Sequence, residues 1–162
     1  MRSGIWVLNI FAALWGAAAV LAGHLPMGLV VVPVALSVAL LLWGRNQPLG
    51  TGNPVRGNRV GRVVGIATTF EIVAIVVAEV ILLHLHLPTA IMPVAVVIVG
   101  LHFLPLAHWI PVRLFYRTGG ALIAVGLIAL VLPPPDRAVA SGVAAALVLW
   151  ASGVMLVRRG RG

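Results

Sequence analysis

Proton exchange and cation binding need side chains that carry or offset charge inside the fold, and this chain has few. Its 162 residues include three acidic side chains, Glu71, Glu79 and Asp136, with five histidines and no cysteine. Without cysteine there can be no disulfide, thiolate metal site, thioether haem attachment or cysteine nucleophile, so any chemistry falls to Glu, Asp, His, Ser or Thr. Glu71 and Glu79 stand inside one long apolar run and His102 inside the next. An ionisable group at the centre of a membrane helix costs about 2.5–3.5 kcal/mol on insertion scales, so such groups turn toward the bundle interior and point to a function.

Spacing brings particular partners together. At 100° per residue, Thr68, Glu71, Glu79 and His86 fall within an arc of about 80°, a polar stripe expected to look inward. Glu71 lies about 12 Å, and His102 about 10 Å, along their helices from the same membrane surface, so the two can meet at one depth. Histidine titrates near neutral pH and hydrocarbon penalises charge, which makes the pair a candidate proton or cation site, with Glu79 and His86 as a path outward. The plainer reading is a structural hydrogen bond that locks two helices together. Pro105 deprives the Leu101 carbonyl of an amide donor, and Pro33 and Pro93 do the same for Leu29 and Thr89, so a small hydrated cavity is expected near His102. Asn9, Ser37, Tyr116, Thr118 and Ser152 fall at similar or shallower depths and suggest a polar layer. His84 and His86 form a His-x-His pattern, but residues two apart on a helix diverge by about 200°, so no metal site is expected from them.

The elements that must position these residues follow from composition. Hydrophobic residues make up 62% of the chain and charged residues 9%, against roughly 25% charged in soluble domains. Six apolar segments, 5–22, 25–43, 63–85, 89–110, 114–132 and 138–157, approach the ~20 residues that cross a bilayer core. The predicted fold is all-α: a single transmembrane domain over residues 1–162, with six helices arranged as three antiparallel hairpins. The first segment imitates a secretory signal but exceeds the usual core of about 7–15 residues, so a retained helix is expected. Residues 44–61, rich in Gly, Asn, Pro and Arg, read as a flexible cytoplasmic loop, and their Gly-Thr-Gly-Asn-Pro lacks the Lys-Ser/Thr of a phosphate-binding loop.

All eleven basic residues are arginine. With six spans, all but Arg137 fall on one side, which places both termini in the cytoplasm by the positive-inside rule and the chain in the inner (plasma) membrane. The net charge of +8 punctuates apolar runs instead of forming a basic domain, so the expected partner is the lipid bilayer and not nucleic acid. Arg56, Arg59 and Arg62 are expected to meet anionic lipid. Trp6, Trp43, Trp109 and Tyr116 read as interfacial anchors. Small residues of the last two spans, among them Ser141, Gly142, Gly119 and Gly120, permit close helix approach within the chain or in a homo-oligomer. A faint repeat relates His24-Leu25-Pro26 and Pro33-Val34-Ala35 to His86-Leu87-Pro88 and Pro93-Val94-Ala95.

The run Gly-Leu-His-Phe-Leu-Pro-Leu-Ala at 100–107, with Trp109-Ile110-Pro111 and Phe115-Tyr116-Arg117-Thr118-Gly119, resembles a segment of small uncharacterised bacterial multi-helix membrane proteins. The resemblance covers about 20 residues, implies no known reaction and adds weight to His102, Pro105 and Tyr116 as site residues.

The expected function is binding or transport of a small solute, cation or proton through a Glu/His-containing cavity, with Glu71, His102, Glu79, His86, Thr68 and Tyr116 as site residues. The alternative is a non-catalytic membrane scaffold or partner subunit. An intramembrane enzyme is a third reading, handicapped by the lack of an evident nucleophile and base pair. No cofactor is indicated.

Overall fold

The computed structural model describes residues 2–45, 54–109 and 112–159. They form six α-helices: α1 (Arg2–Ala22), α2 (Val31–Arg45), α3 (Pro54–His84), α4 (Ile91–Trp109), α5 (Arg113–Val131) and α6 (Pro134–Arg159), with no strand among the described residues. Six helical stretches of 18 to 24 residues are apolar enough to cross a membrane, the second and fourth of them including the short 3-10 turns that lead into α2 and α4. The chain is therefore all-α, with six membrane-spanning helices, and sequential helices pack as α1–α2, α3–α4 and α5–α6 hairpins.

The hairpins do not make the largest contacts. Those run between α4 and α5 and between α1 and α6, so α1, α4, α5 and α6 form the centre. Leu114, Leu122, Leu149 and Val96 fill it. Lipid offers no hydrophobic drive between helices, so these contacts depend on close packing through small residues. On α4 and α5, Gly100 and Gly119 meet backbone to backbone; a Cβ on Gly100 would lie 2.8 Å from the Gly119 carbonyl oxygen. The small residues of α6 serve the same purpose within the chain: Gly142 packs on Ala19 and the Trp15 carbonyl of α1. Gly120, by contrast, faces open space.

α2 lies outside this centre against α1 and α6, while α3 makes its substantial contacts with α4 alone. Almost none of the α3 span is buried inside the chain, against half of the α4 span. Among its inward residues, Val64, Thr68, Glu71, Ile75, Ala78 and Leu82 follow alternating steps of four and three, a narrow seam suited to a single neighbour.

Three expectations need correction. The loop expected over 44–61 is shorter: α2 continues to Arg45 and α3 begins at Pro54, where proline's missing amide costs nothing at a helix start. Residues 46–53, and the side chains of Arg56 and Arg59, lie outside the described residues. The lack of apolar periodicity in 54–61 reflects a helix continued past the hydrocarbon. Pro33 and Pro93 break no helix, since they sit in the first turns of α2 and α4, where no amide is needed. Pro105 alone lies inside a helix among the described residues. Finally, the polar stripe on α3 does not look inward along its whole length, because the seam with α4 admits Glu71 but leaves Glu79 and His86 exposed.

The faint repeat corresponds to two matching turns. At the end of α1, the His24 amide donates to the Leu21 carbonyl and the Leu25 amide to Val20; after α3, the His86 amide donates to Leu83 and the Leu87 amide to Leu82. These are paired Schellman closures. Each puts a histidine in the left-handed region, at φ 50° for His24 and 57° for His86, at a cost of about 1 kcal/mol for an L-residue. Pro26 and Pro88 follow, each leading into a short 3-10 turn. His86→Gly is expected to hold or slightly raise thermal stability in detergent, while His86→Val lowers it by about 1 kcal/mol or more. Equal melting of both variants would show that the turn is not strained.

Candidate functional site

The seam between α3 and α4 places Glu71 and His102 side by side. Glu71 Oε2 lies 3.4 Å from His102 Nδ1, and both side chains are largely buried. This is the only ion-pair-distance contact among the described residues. His102 Nδ1 is buried yet makes no hydrogen bond of good geometry, so the two groups face each other at a loose distance. The imidazole also reaches the backbone of Ala67, one helical turn before Glu71. A neutral imidazole offers one N–H and an imidazolium two, so the pair can take up and give back one shared proton.

Above the pair a groove of about 650 Å³ opens on the side of the bundle. Its α3 wall comprises Val63, Ile66, Ala67, Phe70, Glu71 and Ala74; its α4 wall comprises Ile98, Leu101, His102, Pro105 and Trp109. Phe70 and Trp109 are 72% and 67% exposed and form the lips. Glu71 and His102 are the only titratable residues lining it. Leu101 and Pro105 belong to the same wall, so the carbonyl that Pro105 cannot engage lies on the residue beside His102. The groove lies between two helices long and apolar enough to span a membrane.

The other expected site residues lie elsewhere. Thr68 is half-buried on the α3 seam but does not line the groove. Glu79 and His86 are exposed toward the far end of α3, past Ala74, the last α3 residue of the groove. Tyr116 is 46% exposed on α5 and also stands apart. The polar layer divides into separate contacts. Thr118 and Ser152 hydroxyls lie 2.7 Å apart between α5 and α6, and Trp150 Nε1 donates to Ser37 Oγ at 2.9 Å between α6 and α2. Asn9 donates to the Ile5 carbonyl of its own helix and lies against Gly153 of α6. Among the described residues no three His, Cys, Asp or Glu side chains come together as a metal site.

A comparison with protein families, curated proteins and solved structures finds no match for this chain. The reading of the site therefore rests on its own geometry. Trp109 is a lining residue that reasoning from sequence missed, because an aromatic near a span end reads as an anchor; the apolar lining residues of α3, Phe70 among them, carry no signal that sets them apart from the rest of the span. For Trp109 the signal was present: His102, Pro105 and Trp109 are spaced three and four apart, as one face of a helix requires.

The site also has a counterpart within the chain. Asn9 stands 15 residues before His24, as Glu71 stands 15 before His86. Each is the buried polar residue of its helix's central stretch, and each lies beside a carbonyl four residues earlier that a side chain engages, Ile5 by Asn9 and Ala67 by His102. The difference lies in what covers them.

Proposed function

We propose that this chain is a small integral membrane protein that binds a small solute, cation or proton at the Glu71–His102 pair, and moves it through proton exchange there. The observation that carries this reading is a buried carboxyl–imidazole pair at the base of an otherwise apolar groove. A titratable pair kept between membrane-spanning helices at a cost, loosely spaced and lining a groove, is suited to exchange as well as to joining α3 to α4. The position of the groove supports access from within the bilayer. We place the protein in the cell inner membrane with both termini cytoplasmic: Arg45, Arg62, Arg113, Arg117 and Arg158 all belong to the helix ends on that side.

Proton flux into liposomes, followed with an internal pH-sensitive dye, tests the reading alongside thermal stability in detergent. The parent is expected to exceed empty liposomes, while Glu71→Gln and His102→Ala lose the excess and remain folded. A second reading has one observation in its favour. Since α3 is held essentially by α4, the pair could serve as a staple in a non-catalytic scaffold. Absence of flux in the parent, together with loss of folding in both variants, would establish that reading and sink the first.

A further inference from the structure

We propose that the α3–α4 groove takes a lipophilic cation, an alkylamine or quaternary ammonium compound reaching it from the bilayer, whose positive charge meets Glu71 in place of the shared proton. The inference rests on the binding reading above and names its ligand class.

The groove's own chemistry selects among occupants. Its volume of about 650 Å³ falls within the range of roughly 300–1,000 Å³ typical of small-molecule sites. A hard metal cation requires six or more oxygen ligands, and the side chains of these walls supply one carboxyl group and one imidazole amid aliphatic and aromatic carbon. An anionic amphiphile would bring a second negative charge against Glu71, with no arginine lining the groove to offset it. A purely apolar molecule fits the walls but leaves the carboxylate without a partner. A cation that carries its own hydrocarbon satisfies both features: its substituents lie along the apolar walls, Ile66, Ile98, Leu101, Phe70 and Trp109, and its charge approaches Glu71.

The same charge count couples binding to proton release. With a deprotonated Glu71 and a neutral His102 the pair carries one negative charge, and with one proton it carries none. Hydrocarbon favours the uncharged total. A bound monocation restores that total after the proton leaves to solvent, so one proton is exchanged for one ligand. No other titratable side chain from either wall faces the pair.

The test uses the full chain in nanodiscs of zwitterionic lipid, with decyltrimethylammonium and its neutral isostere carrying carbon in place of nitrogen. Equilibrium dialysis is expected to show saturable uptake of the cation, one per chain, beyond partition into empty nanodiscs. Uptake falls at least tenfold in Glu71→Gln, and the neutral isostere shows no difference between parent and variant. In weakly buffered solution, binding to the parent releases close to one proton per ligand. Trp109→Ala, which alters an exposed side chain, is expected to weaken uptake severalfold while leaving the melting temperature unchanged, so the proposal remains testable if Glu71→Gln fails to fold. Equal uptake by parent, Glu71→Gln and Trp109→Ala would overturn it. So would preference for decyl phosphate, which would make the groove an anionic-lipid site. Should the cation fail to bind while Glu71-dependent proton flux persists, the ligand class is wrong and the exchange site stands.

Discussion

Glu71→Lys is expected to release α3 from the bundle while leaving the rest folded. The substitution sets an ammonium against His102 within a seam that buries Glu71 to 7% exposure, and disrupting a buried pair in this way costs about 3–5 kcal/mol. Because α3 has one substantial neighbour, that loss falls on a local opening and not on the whole chain. Amide hydrogen exchange along the α3 span should accelerate by roughly a hundredfold or more, at about 1.4 kcal/mol per factor of ten. The α4–α5 contact should exchange as in the parent. Cooperative loss of all six helices would show that α3 belongs to the core, and unchanged exchange would show that the pair does not hold it.

The largest effect on global stability is expected at Gly126 and Gly100. A Cβ on Gly126 would lie 2.7 Å from the Pro93 carbonyl oxygen, and one on Gly100 would lie 2.8 Å from both the Gly119 oxygen and the Ile123 nitrogen. Backbone atoms cannot rotate aside as a flexible side chain can, so α4 and α5 would have to separate along their most extensive contact. Overpacking ordinarily costs about 1–3 kcal/mol, and Gly126→Val or Gly100→Val should reach the upper end or exceed it. Gly120→Ala, with nothing within 4 Å of the added carbon, should be neutral or mildly stabilising. Detergent melting curves of the three variants decide the matter; similar melting of all three would mean that the two helices do not meet as described.

The six spans were legible because hydrocarbon imposes length and apolarity on every crossing helix, and such constraints show in composition. The Glu71–His102 meeting was legible for a related reason: both helices start from known surfaces, so depth follows from residue count. Neighbour choice was not. The arc containing Glu79 and His86 assumed a helix enclosed on a broad face, whereas α3 touches one partner along a seam narrower than that arc. Nothing in the hydropathy of α3 distinguishes a side facing lipid from one facing α4, since both are apolar. Pro33 and Pro93 were misread for want of the helix start: a proline two residues later would have disrupted hydrogen bonding, and in the first turn it does not. Trp109 carried an interfacial signature and, by its spacing from His102 and Pro105, a place on the same helix face, and the first signature masked the second.

The matching turns after α1 and α3 explain why there is a groove at all. The first hairpin is sealed by α6, whose Gly153 closes over Asn9 and whose Trp150 ties down Ser37. The second hairpin resembles the first, but among the described helices none besides α4 packs substantially on α3. Two like pairs sharing one lid leave a groove along the second, and the buried residue at its base is an acid where its sealed twin is a neutral amide.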